Sequence, residues 1–211
     1  MIEMPSLQFA QTNGIRMGYY DAGPKSDKPP LVLCHGWPEL AFSWRYQIKA
    51  LSEAGIRVIA PDQRGYGATD RPEAVEAYDL EHLTGDLIGL LDHLGIDKAV
   101  FVGHDWGGFV VWRMALRHPL RVAGVVGVNT PHTDRAPIDP IELFRKRFGE
   151  QMYIVQFQDP AASRTGFSTA ASKRPSTRSC ANRSSARTPG RRRRRRPASA
   201  PRPNSTSPFR R

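Results

Sequence analysis

The sequence predicts an α/β fold, a mostly parallel sheet with helices on both faces, carried by the residues up to about 130. Three observations point there. Strand-like and helix-like segments alternate along the chain, the order that builds parallel sheets through helical crossovers. Two short runs, Leu31-Val32-Leu33-Cys34 and Ala99-Val100-Phe101-Val102, are apolar at every position, as strands covered on both faces are. Directly after them stand His35-Gly36-Trp37-Pro38-Glu39 and Gly103-His104-Asp105-Trp106-Gly107-Gly108. Those places are the carboxyl ends of strands, where open α/β sheets bind their ligands.

The elements follow in order. Residues 7–12 and 16–20 read as two strands joined by an Asn13-Gly14 turn. After strand 31–34 a helix is predicted over 43–54, stopped by Gly55. A strand over 57–60 ends at Pro61-Asp62, and residues 63–72 form a turn-rich loop. Leu83, Leu87, Leu90, Leu91 and Leu94 recur at spacings of three and four and predict a helix over 80–94. Strand 99–102, a helix over 108–118 and a strand over 122–128 complete the pattern.

A length of 211 residues suffices for one domain with a sizeable core. The net charge of +11 would suit a nucleic-acid or anionic-membrane partner, but its location removes that reading. Of 31 Lys and Arg, 15 lie from Ala161 onward with no acid among them; the remaining 16 face all 20 acids, a net of −4. Cys34 and Cys180 form no disulfide framework or metal-ligand spacing. Neither a metal nor an organic cofactor is expected. No basic start with an apolar run opens the chain, and no stretch reaches the length of a membrane span, so a cytoplasmic protein is expected.

Gly103 to Gly108 follows a strand and opens a helix, the setting of a nucleophile elbow. Gly103, Gly107 and Gly108 let strand and helix backbones crowd together, and the central residue, Asp105, is lifted over the sheet edge. A carboxylate needs no base to activate it. It attacks an electrophilic sp³ carbon directly and forms an alkyl ester. Cleaving that ester with water puts negative charge on the Asp105 carbonyl oxygen, which calls for fixed donors. The backbone N–H of Trp106 is one candidate, and that of Trp37 in the His35-Gly36 loop is the second. Pro38 would fix the loop's path, with a cis peptide bond as one way of doing so. The plainer alternative is that Asp105 caps the helix behind it. His35 and His104 read as structural residues that brace their loops.

With these residues in hand, the chain resembles the epoxide hydrolases of the α/β-hydrolase superfamily. His35-Gly36-Trp37-Pro38-Glu39 is similar to their oxyanion loop, and Trp44, Gln47 and Leu51 match the helix after it. Asp62-Gln63-Arg64-Gly65-Tyr66-Gly67, the elbow, and Asn129-Thr130-Pro131, where the lid domain starts, resemble the family too. Tyr153, ahead of Phe157-Gln158-Asp159-Pro160, matches the lid segment carrying a substrate-binding tyrosine. The resemblance implies a small-molecule epoxide opened by Asp105 to a vicinal diol, with Tyr153 donating its proton to the epoxide oxygen and no metal. A haloalkane or haloacetate dehalogenase of the same fold is the nearest rival, since it also uses an aspartate. Tyr153 speaks against it, because a halide needs no proton donor.

The resemblance covers residues 1–160: a core over 1–130 and the start of a lid over 131–160. The family also needs a late histidine base, its acid partner and a second lid tyrosine, yet no His, Asp, Glu or Tyr follows Asp159. Without the base, alkylation remains possible while ester hydrolysis becomes very slow. From Ala161 there is no Ile, Leu, Val or Met, and residues 191–196 are all arginine. Such a segment cannot offset its own ordering entropy, and disorder is expected over 161–211. The abrupt break favours the wrong reading frame of a GC-rich gene over a natural extension or a nucleic-acid-binding arm.

Overall fold

The computed structural model describes residues 3–133 and 137–158. The tail expected to be disordered from residue 161, and with it the arginine run, lies outside the described residues. Two compact units are present, one ending at Asp139 and one beginning at Pro140.

The first unit holds a six-stranded sheet in the order β1-β2-β4-β3-β5-β6. Its strands are β1 (Leu7–Thr12), β2 (Ile15–Ala22), β3 (Leu31–Cys34), β4 (Val58–Pro61), β5 (Ala99–His104) and β6 (Val122–Val128). β1 and β2 form an antiparallel hairpin, and β2 pairs antiparallel with β4. From β4 onward all pairings are parallel, which makes the sheet mostly parallel as predicted. The hairpin turns at Asn13 and Gly14, both with positive φ.

Side-chain alternation divides the core in two. Val32, Cys34, Ile59 and Phe101 pack on one face with Leu87, Leu90 and Leu91 of helix α2 (Leu80–His93) and Val110, Val111 and Met114 of helix α3 (Trp106–Arg117). Their strand neighbours Leu33, Val58, Ala60 and Val102 face the other way. They pack on Ala41 and Trp44 of a 3₁₀ turn (Ala41–Trp44) and Ile48 of helix α1 (Arg45–Glu53). Period-two strands with both sides covered explain why every position in these runs is apolar.

Several boundaries differ from expectation: β2 and β5 run on past the predicted 16–20 and 99–102, and three further differences bear on the site. The helix predicted over 43–54 is a 3₁₀ turn followed by α1. Pro61 ends β4 from inside it, an allowed place because a terminal strand residue need not donate to the ladder. Helix α3 begins at Trp106, ahead of the predicted 108, because Gly107 and Gly108 are helical here rather than part of the turn. A 3₁₀ turn at Pro119–Arg121 joins α3 to β6. β6 is one of the two edge strands of the described sheet, and Val126 and Val128 on it are exposed, as are Leu116 and Leu120. The second unit contains α4 (Pro140–Phe148) and the short α5 (Tyr153–Gln156), neither read from the sequence.

Candidate active site

Asp105 is the single residue between β5 and α3. Its backbone lies at φ 52° and ψ −119°. A non-glycine residue held there stores on the order of 1–3 kcal/mol of strain, which surrounding contacts must sustain. The crowding is visible in the glycines. A Cβ on Gly103 would stand 2.3 Å from the Gly107 carbonyl oxygen, and one on Gly107 would stand 2.2 Å from that of Cys34. Only bare backbone lets β3, β5 and α3 approach this closely.

Asp105 occupies the N-cap position of α3, but its side chain makes no capping hydrogen bond. Its Oδ1 instead accepts the backbone N–H of Trp37 at 3.0 Å. The plain capping alternative is therefore not what the carboxylate does. Trp106 opens α3, and the first N–H groups of a helix have no intrahelical acceptor. The Trp37 N–H thus reaches the Asp105 carboxylate from the loop after β3, and Trp106 follows Asp105 as the first residue of α3.

The loop after β3 is held from below. His35 is fully buried, and its Nε2 accepts the Gln63 backbone N–H at 3.0 Å. An accepting Nε2 leaves the proton on Nδ1, which donates to the Gly36 carbonyl at 2.9 Å. Burial pushes the His35 pKa down and keeps the ring neutral, and the Tyr66 ring packs edge-on against it at 4.9 Å. The Trp37-Pro38 peptide is cis. One residue on, the Glu39 carboxylate accepts the Gly36 N–H at 3.2 Å and lies 3.0 Å from His104 Nδ1. Glu39 thereby ties the loop to His104, the residue just before Asp105.

The Asp62–Gly67 segment is anchored through buried carboxylates. Asp62 accepts the N–H groups of Ala41 and Ala68, and Arg64 pairs with Asp86, both almost wholly buried. Beside the elbow, the Thr130 hydroxyl donates to the Asp105 carbonyl at 2.9 Å, and Trp112 Nε1 donates to the Thr130 carbonyl at 2.8 Å. The sequence contains Thr130 within Asn129-Thr130-Pro131 but gives no sign of this bond, which joins residues 25 positions apart. The Trp106 and Phe109 rings, 5.3 Å apart, are both half-exposed. In the second unit Tyr153 opens α5, with its ring edge-on to Phe157 at 5.7 Å. Among the described residues no group of three or more His, Cys, Asp or Glu is placed to hold a metal ion, and no helix is long and apolar enough to cross a membrane.

Comparison with known proteins agrees with this geometry. The family described as alpha/beta hydrolase fold matches residues 29–208. The chain is 52% identical over 157 residues to epoxide hydrolase A of Mycobacterium tuberculosis, an alignment covering 74% of this chain and 48% of that protein. Epoxide hydrolase 3 of Siraitia grosvenorii is 43% identical, over 83% of this chain and 55% of its own. The crystal structure of epoxide hydrolase A from Mycobacterium thermoresistibile superposes with a TM-score of 0.69 at 52% identity, covering 74% of this chain and 49% of that one. An epoxide hydrolase structure from Vigna radiata gives a TM-score of 0.73 at 37% identity, over 81% and 53%. The chain spans about half the length of the relatives it matches. A family match over most of the chain, on an elbow and oxyanion loop of this geometry, settles the assignment: the chain belongs to the α/β hydrolase fold family.

Proposed function

We propose that this chain is the nucleophile-bearing part of an epoxide hydrolase, an enzyme converting an epoxide and water to a vicinal diol. The observation that carries the reading is the Trp37 N–H placed on Asp105 Oδ1 at 3.0 Å. It occupies one carboxylate oxygen and leaves the other to attack. An Asp105 oxygen forms a bond to an epoxide carbon, the carbon–oxygen bond of the ring breaks, and the freed oxygen takes a proton from the Tyr153 hydroxyl. The product is a hydroxyalkyl ester of Asp105. Water then adds to the ester carbonyl, and the oxygen that becomes negative receives the N–H groups of Trp37 and Trp106. His35, Gly36 and Pro38 shape the loop, and Gly103, Gly107 and Gly108 the elbow. Activating the water needs a histidine base by the family resemblance, and the 211 residues hold no histidine beyond His132. Ester formation is the step whose proposed groups, Asp105 and Tyr153, this chain carries. The names of the relatives favour an epoxide over a halogenated substrate.

The test is intact and tandem mass spectrometry after incubation with styrene oxide. One adduct on Asp105 is expected, and none in Asp105→Asn, which keeps the side-chain shape and tolerates positive φ. Cys34 does not compete, because it is fully buried and its thiol pKa is pushed up to about 12. Absence of the adduct in a folded preparation overturns the reading. Chloride release from a chlorinated alkane in place of epoxide adduct formation would transfer it to a dehalogenase.

A further inference from the structure

The Asp105 carbonyl oxygen receives two hydrogen bonds, from the Gly108 N–H at 2.9 Å and the Thr130 hydroxyl at 2.9 Å. The first is the tight turn that any elbow makes on entering its helix. The second comes from outside the elbow, from the segment after β6. Thr130 is itself fixed: it is buried, and its own carbonyl accepts the Trp112 indole N–H at 2.8 Å. Its side chain lies where a Cβ on Gly108 would stand, 2.4 Å from the Thr130 Cβ. The hydroxyl therefore has one packed position.

The peptide joining Asp105 to Trp106 is planar and trans, so its C=O and N–H point in opposite directions from one rigid plate. Whatever holds the carbonyl of Asp105 sets the direction of the Trp106 N–H. We propose that Thr130 is a positioning residue for ester cleavage: by anchoring the Asp105 carbonyl from behind, its hydroxyl aims the Trp106 N–H at the oxyanion. The inference rests on the reading of Asp105 as nucleophile. It assigns Thr130 to the second step more than the first. In ester formation the carboxylate already carries its charge and keeps the Trp37 N–H. In ester cleavage a new charge appears on the carbonyl oxygen, and both donors are needed where it develops.

Hydroxylamine makes the second step readable in this chain. Its nitrogen adds to the Asp105 ester carbonyl and the ester carbon–oxygen bond then breaks. The diol leaves with a proton from nitrogen, and Asp105 remains as its hydroxamate. No histidine is required, but the same oxyanion forms. The chain is first alkylated with styrene oxide, freed of excess epoxide, then treated with hydroxylamine and followed by intact mass.

Thr130→Val keeps the shape of the side chain and removes the hydroxyl, and Thr130→Ser keeps the hydroxyl. Thr130→Val is expected to slow ester cleavage by about tenfold to a hundredfold, the size of a small misplacement at a reacting centre. It should slow ester formation by less than about threefold, with Thr130→Ser restoring cleavage to within about threefold of the parent. A merely structural role would move both steps together and follow the thermal midpoint. Unchanged cleavage in Thr130→Val, or equal loss of both steps in Thr130→Val and Thr130→Ser, overturns the inference while leaving the nucleophile reading intact. A parent chain that forms no ester overturns both.

Discussion

Gly36→Ala is the sharpest perturbation of the site, because the new atom points at Asp105, the proposed nucleophile. A Cβ on Gly36 would stand 2.6 Å from the Asp105 Cβ and 2.9 Å from its Oδ1. Carbon atoms settle at about 3.5–4.0 Å, so the loop and the elbow must part by about 1 Å. Asp105 has little room to yield, since its backbone is held by the Gly108 N–H and the Thr130 hydroxyl. The loop must move instead. The Trp37 N–H, now 3.0 Å from Asp105 Oδ1, would end near 4 Å, beyond hydrogen-bond range. Losing one such donor costs about 10²–10³ in the rate of ester cleavage, the step in which the carbonyl oxygen becomes negative.

Overpacking costs about 1–3 kcal/mol of stability. At about 2–4 °C per kcal/mol for a chain of this size, the thermal midpoint falls by about 2–12 °C. Intact-mass kinetics of hydroxylamine cleavage of the styrene oxide adduct, at a temperature where both proteins are folded by circular dichroism, reads the first effect; a thermal scan reads the second. A Gly36→Ala protein whose Asp105 ester is cleaved at the parent rate would refute the reasoning, because the Trp37 donor would then contribute nothing to stabilising the oxyanion.

Two further predictions concern what holds the frame. Arg64 and Asp86 are 3% and 1% exposed and joined by two hydrogen bonds, so Asp86→Ala leaves a buried guanidinium without its partner. A loss of about 3–5 kcal/mol is expected in urea unfolding, against little change for a surface pair such as Arg121–Asp92. The second concerns pH. His35 is held below its ordinary pKa of 6.5 by burial, so below pH 6.5 the unfolded chain binds a proton that the folded chain does not. Stability is therefore full above about pH 6.5 and declines as the pH falls below it; His118, shifted the same way, adds to the decline. Thermal midpoints from pH 8 to pH 5 should fall on the acid side, and His35→Gln should flatten the slope without abolishing it.

How much of this was legible in the sequence depends on the range of the interaction. The strands 31–34 and 99–102 were readable because two-sided burial leaves an unbroken apolar run, and α2 because its leucines repeat at helical spacing. The elbow and the oxyanion loop were readable because close backbone approach demands glycine at fixed positions. The start of α3 was misjudged for the same reason. Gly107 and Gly108 look like turn residues, but they are helical residues stripped of side chains so that Cys34 and Thr130 can come close. The anchors that make the site rigid left no local trace. Glu39 meets His104 across 65 positions, Gln63 meets His35 across 28, and Thr130 meets Asp105 across 25. Each is an ordinary polar residue whose partner is decided by the strand order β4-β3-β5-β6, which brings the loops after these strands to one edge of the sheet.

That strand order also decides which step of the chemistry can be tested in a chain about half as long as its relatives. Among the described residues, the contacts around Asp105 lie within the unit ending at Asp139: Gly108 and Thr130 on its carbonyl, Trp37 on its carboxylate, and Glu39 between Gly36 and His104. The proposed oxyanion donors, the backbone N–H groups of Trp37 and Trp106, belong to the same unit. Attack on an epoxide carbon uses only these groups and a proton source. Water activation uses a base, which is chemistry of a different kind. An alkylation assay therefore interrogates the Asp105 carboxylate, and hydroxylamine cleavage of the ester it leaves interrogates the donors and anchors. Variants at Asp105 are ranked by the first and variants at Gly36 and Thr130 by the second, without a turnover assay, because Gly36 alters a donor and Thr130 the peptide plate that aims the other.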